Sequence, residues 1–189
     1  MDVISFTSMA EGTAEEYAFL DGKLAGYLDE MQSKLPRSMM TLLGEQRGNT
    51  LGYRVDRYTH SLQTATRAFR DGADEETVTT ALLHDVGDGM GVFNHSQLAA
   101  ALLKPFVSER NYWVAQHHGL FQGYFYFHYV GRDRNERDRY RGHPHYQTCI
   151  DFCDRWDGPS FDPDYDTMPL EAFKPILHRV FAKKPKIFD

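Results

Sequence analysis

Cysteine is nearly absent from this chain of 189 residues: Cys149 and Cys153 are its two, standing four apart in a segment of helical spacing. One helix face suits such a pair better than a disulfide framework does, which points to a reducing, cytoplasmic setting. Long apolar runs are missing as well. The richest, 120–130, falls short of the roughly 20 residues that a membrane-spanning helix needs, and Met1-Asp2-Val3-Ile4-Ser5-Phe6 carries no basic segment of leader type. A soluble protein with no membrane partner is expected. Positive charge is the third scarcity: 21 Lys and Arg against 27 Asp and Glu leave a net charge of -6, so the chain as a whole offers no electrostatic footprint for nucleic acid. A small molecule becomes the expected partner. Internal repeats, low-complexity tracts and linkers are lacking, and the length fits a single domain, 1–189, with one well-buried core.

What the chain does have is helical periodicity. Thr13-Ala14-Glu15-Glu16 has capping-box spacing, and Tyr17, Leu20, Leu24, Tyr27, Leu28 and Met31 follow at helical intervals. Pro36 can open a second helix carrying Met39, Met40, Leu42 and Leu43, with Gly48 to close it. A third is expected from about Val55 to Arg70, and a short buried one follows the N-cap candidate Asp74 and delivers His84 and Asp85. Asn94 heads a helix from His95 to about Leu103, Pro105 breaks it, and Ser108 heads another that ends in Gln116-His117-His118-Gly119. Helical spacing resumes from Tyr146 to Trp156, and a last helix, Pro169 to Phe181, is expected to be interrupted at Pro175. The fold class these periods predict is all-α.

Chemistry concentrates in the histidines. His84 and Asp85, adjacent at the end of an apolar helical run, can place an imidazole nitrogen and carboxylate oxygens on one cation, and Gly87 lets the backbone turn away directly afterwards. A lone pair of this kind also serves as a helix cap with a surface histidine. Joined by His60, by His95, by His117 or His118, and by one of Asp151, Asp154 and Asp157, it becomes four imidazoles and two carboxylates from different helices. One metal ion does not need so many ligands; two ions about 3.5–4 Å apart, bridged by a shared carboxylate, would use them all. Mixed imidazole and carboxylate ligation favours iron, manganese or zinc over calcium or magnesium. The aromatic run from Phe121 to Tyr129 reads as core or as a pocket wall, and the charged stretch from Arg132 to Arg141 as a solvated face or a supply of anion-binding donors.

In the order H...HD...H...H...D within an all-helical chain, and in the phrase His60-Ser61-Leu62-Gln63-Thr64-Ala65, the sequence resembles the HD-domain superfamily. It looks in particular like the branch of mixed-valent diiron oxygenases, which includes myo-inositol oxygenase and the hydroxylated aminoethylphosphonate oxygenases. The resemblance spans about residues 50–181 as an HD core and leaves the N-terminal helices of 1–49 outside it. It implies a helical bundle with a dinuclear metal site in its core, two iron ions as Fe(II)/Fe(III), and O2 as co-substrate. Carried over by position, the metal ligands would be His60, His84, Asp85, His95, His118 and Asp157. The segment His118-Gly119-Leu120-Phe121 and the step Trp156-Asp157 favour His118 over His117 and Asp157 over Asp154.

The same resemblance implies catalytic roles for Asp85 and Asp88, with Asp88 facing the substrate where relatives carry a basic residue or histidine. Tyr53 takes the place of an acidic residue that recognises an amino group. An aromatic ring there suits a quaternary ammonium, held by cation–π attraction worth about 0.5–2 kcal/mol per ring. Tyr58, Gln122 and Arg141 complete the implied substrate-binding set. The expected reaction is O2-dependent cleavage of the C–P bond of a 1-hydroxy-2-(trimethylammonio)ethylphosphonate-like organophosphonate, giving glycine betaine and phosphate. On the same ligands the alternative is a metal-dependent HD phosphohydrolase of a phosphate ester or nucleotide, which would run without O2.

Overall fold

Seven α-helices and no strand make up the regular secondary structure of residues 3–186, the part of the chain that the computed structural model describes, together with short 3-10 turns and one π-helical turn. The helices are α1 (Ala14–Gly44), α2 (Arg57–Arg70), α3 (Glu75–Leu83), α4 (His95–Leu103), α5 (Glu109–Tyr126), α6 (Tyr146–Phe152) and α7 (Leu170–Phe181). No helix among the described residues is long and apolar enough to cross a membrane.

The capping box at the head of α1 forms. The Glu16 carboxylate accepts from the Thr13 backbone N–H at 3.0 Å and from its hydroxyl at 2.9 Å. Beyond it, where two helices were expected, there is one. Pro36 lies inside α1 and forgoes a single i to i−4 hydrogen bond, while good helix formers on both sides keep the spiral continuous. The chain divides at this proline into two compact units, Met1–Leu35 and Pro36–Asp189. Within the first, Phe6 packs on Tyr17 with ring centroids 5.4 Å apart, and Leu24, Tyr27 and Leu28 are exposed.

In the second unit α2 packs on α3, α3 on α7, α4 on α5 and α5 on α6. Leu82, Leu83, Leu103, Phe121, Phe173 and Leu177 are fully buried among them. Asp56 caps α2 by accepting the Thr59 N–H at 2.8 Å, and Asp74 caps α3 by accepting the Thr77 N–H at 2.8 Å. Such caps contribute about 1 kcal/mol each. Ser108 caps α5 through the Asn111 N–H, whereas Asn94 precedes α4 without a side-chain capping bond. Cys149 and Cys153 are both free and buried.

Two further expectations are corrected. The helix that was to end at Gly119 runs on through the aromatic stretch to Tyr126. Its glycines serve close approach: a Cβ on Gly119 would lie 3.0 Å from Ser96 Oγ, and one on Gly123 only 2.3 Å from the Phe127 ring. Pro175 likewise sits inside an unbroken α7. The helical segment from Tyr146 changes character at Cys153, where a π-helical turn, Cys153–Asp157, closes with the Gly158 N–H donating to the Cys153 carbonyl at 2.8 Å.

Gly87 also has a different role from the one its sequence context suggests. Its φ is not positive, so no left-handed turn requires it. A Cβ there would meet the His95 carbonyl oxygen at 2.5 Å and Leu98 Cβ at 2.8 Å, so the missing side chain lets the segment after α3 lie directly against α4. Gly87→Ala should therefore destabilise the fold by about 1–3 kcal/mol in urea unfolding, because backbone has to move. A change under about 0.5 kcal/mol would show that α4 gives way freely.

Candidate metal centre

Five polar side chains from four elements are almost wholly buried together: His60 from α2, His84 and Asp85 at the end of α3, His118 from α5, and Asp157 from the π-helical turn. His95, in the first turn of α4, joins them and is about a quarter open to solvent. Each buried imidazole is held by its Nδ1–H, which donates to a backbone carbonyl: His60 to Ser160 at 2.9 Å, His84 to Ala81 at 2.8 Å and His118 to Ala115 at 2.8 Å. That bond fixes the tautomer and aims the Nε2 lone pair inward. Phe161 stacks on His60 at 4.3 Å and Tyr53 on Phe161 at 4.4 Å, which seals this flank.

The inward atoms fall into two sets. In the first, His60 Nε2 lies 3.2 Å from His84 Nε2 and 3.1 Å from Asp157 Oδ1, and His84 Nε2 is 3.4 Å from the same oxygen. In the second, His118 Nε2 and His95 Nε2 lie 3.1 and 3.3 Å from Asp85 Oδ1. Asp85 stands between them, with its other oxygen, Oδ2, 3.5 Å from His84 and 3.7 Å from His60. Two ligands about 2.0–2.2 Å from a common ion at 90–110° are themselves about 2.8–3.6 Å apart, so these spacings fit coordination. The ligand atoms of His60, His84 and Asp157 all lie within 4.8 Å of one another, and so do those of His84, Asp85 and His118.

The cluster is short of positive charge and of hydrogen-bond donors. Both oxygens of Asp157 are buried and accept no hydrogen bond. With their Nδ1–H groups committed elsewhere, His60 and His84 as neutral imidazoles turn two lone pairs on each other beside that carboxylate. Burial alone would keep the His84 imidazole uncharged, yet Asp85 and Asp157 raise its pKa to about 9. Burial would also push both carboxyls up. His84 and the other facing imidazoles overturn this and hold Asp85 and Asp157 below the usual carboxylate range. A proton on His84 relieves part of the conflict; a divalent ion among these donors relieves it without leaving lone pairs opposed.

A cavity of about 520 Å³ reaches this cluster at Asp85, His95 and His118 and is also bordered by Arg57, beside Asp85, and by Arg132 and Arg139. A second, of about 460 Å³, shares Tyr53, Gln122 and Tyr126 with it and adds Phe125, Phe161 and Asp154. Of the remaining residues proposed from sequence, Tyr53 and Gln122 therefore border both spaces. Asp88 reaches the cluster through Arg57, whose Nε is 3.9 Å from its Oδ2. Tyr58 and Arg141 are not brought to either cavity: Tyr58 is buried under the Arg47 guanidinium, 3.7 Å over its ring, and Arg141 is exposed and paired with Asp138 at 2.7 Å. His117 stacks on Trp113 at 4.2 Å, and burial lowers its pKa. Asp154 is exposed at the second cavity, away from the imidazoles.

Sequence reasoning passed over Arg57 and Gln46. Arg57 donates to Asp85 Oδ2 at 3.0 Å, and its position three residues before His60 on the same helix face was a usable signal. Gln46 donates to the Asp85 backbone carbonyl at 2.5 Å, and no local pattern marks it. Compared with known families, the chain matches the HD domain model over residues 57–158, a stretch that contains all six residues of the cluster. No curated protein matches the sequence.

Ion and proton compete for His84 Nε2, which sets a pH dependence. With its pKa raised from 6.5 to about 9, the His84 charge stabilises the cation-free fold in full below pH 6.5, and that contribution is lost as pH rises toward 9. Over the same window a divalent ion meets less competition. The gain in Tm produced by Mn(II) should therefore widen from pH 6.5 to 9. A gain that stays flat or narrows would remove His84 from the ligand set.

Proposed function

The chain belongs to the HD-domain family, whose members are typically metal-dependent enzymes, and on that premise we propose that it is a diiron oxygenase that cleaves the C–P bond of a 1-hydroxy-2-(trimethylammonio)ethylphosphonate-like substrate. The observation that carries the reading is the Asp85 carboxylate, whose two oxygens face two different sets of imidazoles. His60, His84 and Asp157 would hold one ion, His95 and His118 the other, and Asp85 both. Iron bound by such imidazole and carboxylate donors would supply the redox chemistry with O2 that a C–P cleavage requires.

The protein's own residues would do the rest. Arg57, Arg132 and Arg139 border the cavity beside the ions and suit the phosphonate, which takes charge-assisted hydrogen bonds best from guanidinium groups. Tyr53, Phe125, Tyr126 and Phe161 border the adjoining space, where Asp154 adds a carboxylate. A trimethylammonium group has no N–H to donate and binds well among aromatic faces with a negative charge nearby. Gln122, common to both spaces, can hydrogen-bond a substrate that spans them. On these placements Tyr58 and Arg141 fall outside the proposed contact set, and Asp88 acts at a distance through Arg57. The arginine-bordered cavity would equally accept a phosphate ester, which keeps a phosphohydrolase as the second reading.

Oxygen separates the two. Iron-loaded protein reduced with ascorbate should give the electron paramagnetic resonance signal of a coupled Fe(II)/Fe(III) pair and release glycine betaine and phosphate from the trimethylammonio substrate in air but not under argon. It should prefer that substrate over its primary-amine analogue by roughly tenfold or more in kcat/KM, since one or two cation–π contacts are worth about 1–3 kcal/mol. Phosphate release from phosphate esters under argon with redox-inactive metal, and no O2-dependent turnover, would establish the hydrolase instead.

A further inference from the structure

Arg57 donates a hydrogen bond to Asp85 Oδ2. Its Nη1 is 3.0 Å away, inside the 3.5 Å to His84 and the 3.7 Å to His60. Its Nε is buried without a hydrogen-bond partner, 3.9 Å from the carboxylate of Asp88. The guanidinium is a rigid planar fork, so a contact at one corner and a charge at the other fix its plane.

Asp85 needs such an external hold. To serve two ions, its carboxylate must present one oxygen to each, yet the terminal torsion of an aspartate is broad and intrinsically undirected. The 2.5 Å bond from Gln46 anchors the Asp85 carbonyl and therefore the main chain, but leaves that torsion free. The imidazoles approach Oδ1 at 3.1 and 3.3 Å but stay 3.5 and 3.7 Å from Oδ2, so Oδ2 is the oxygen they hold less closely. Arg57 donates to Oδ2, and by holding that atom toward His60 and His84 it leaves Oδ1 toward His95 and His118.

The two sets depend on this hold unequally. His60, His84 and Asp157 supply three ligands to the first without help from Asp85, whereas the second has His95 and His118 and takes its third protein ligand from Asp85. We propose that Arg57 is a positioning residue that sets the Asp85 carboxylate across the two metal sites, and that the second site depends on it; this rests on the two-ion reading above. Simple electrostatics makes the opposite prediction. A fixed positive charge beside two cations repels them, so if Arg57 were only a charge at the cavity wall, removing it would tighten both sites.

The direction of the effect therefore decides, and Mn(II) reads it without catalysis. Wild type should bind two Mn(II) per chain and show the spectrum of a spin-coupled pair. Arg57→Ala should keep the first ion and lose about 10- to 100-fold in affinity for the second, the usual size for loss of a group that orients a ligand, and the coupled spectrum should give way to that of an isolated ion. Millimolar guanidinium chloride should restore the second ion to Arg57→Ala. Arg57→Lys, which keeps the charge but not the fork, should also weaken the second site alone, and it carries the test if the alanine variant fails to fold. Two ions in the variants at unchanged or higher affinity would overturn the proposal. A wild type that binds a single ion would instead overturn the two-ion reading beneath it.

Discussion

Two carboxylates and three imidazoles are buried together here with too few hydrogen-bond donors among them, and the rest of the second unit is arranged around that imbalance. An unpaired carboxylate in a protein interior costs several kcal/mol, so a fold that buries both oxygens of Asp157 without a hydrogen bond calls for positive charge beside them. The backbone removes the easiest internal remedy by taking the Nδ1–H of His60, His84 and His118 for carbonyls of Ser160, Ala81 and Ala115. What those three imidazoles turn inward is acceptors, with Arg57 donating to Asp85 from one side. A proton on one imidazole would satisfy them in part and cations in full, which would link folding, protonation and metal binding at one place.

The surrounding helices follow from the need to bring those groups together. Capping fixes where α2 and α3 begin, and hence which turn carries His60 and which residue ends in the cluster as His84. Two glycines let neighbours close up: Gly87 lies against the first turn of α4 beside His95, and Gly119 lies against Ser96 one residue after His118. The π-helical turn adds a residue to the spiral just before Asp157, a local cost of the kind that recurs at functional sites. Phe161 and Tyr53, stacked outside His60, then join the His60 flank of the cluster to the aromatic side of the cavities.

Much of this was readable in the sequence because the chemistry sits on periodic, well-capped helices. His60, His84, Asp85 and His95 each fall at a helix position that spacing and capping residues define, and the all-α class follows from the same periods. Breakers were read too literally: Pro36, Gly119 and Pro175 each lie inside a helix, since a local cost of about 1–3 kcal/mol is small beside what neighbouring turns and packing supply. The choice between His117 and His118 is a matter of helix face, and one faces Asp85 while the other faces Trp113. The cavities were legible only in part, as an aromatic run that could wall a pocket and a charged stretch that could supply anion-binding donors. Which arginines border them depends on how the segment after α5 folds back, and that path brings Arg132 and Arg139 to the opening while Arg141 turns to solvent.

The proposed function turns on whether the Asp85 carboxylate is shared by two cations. Diffraction from iron-loaded crystals at the iron absorption edge tests it most directly. Two anomalous peaks about 3.5–4 Å apart are predicted, one among His60, His84 and Asp157 and one beside His95 and His118, with an Asp85 oxygen on each. A single peak, or a pair that Asp85 does not bridge, would contradict it.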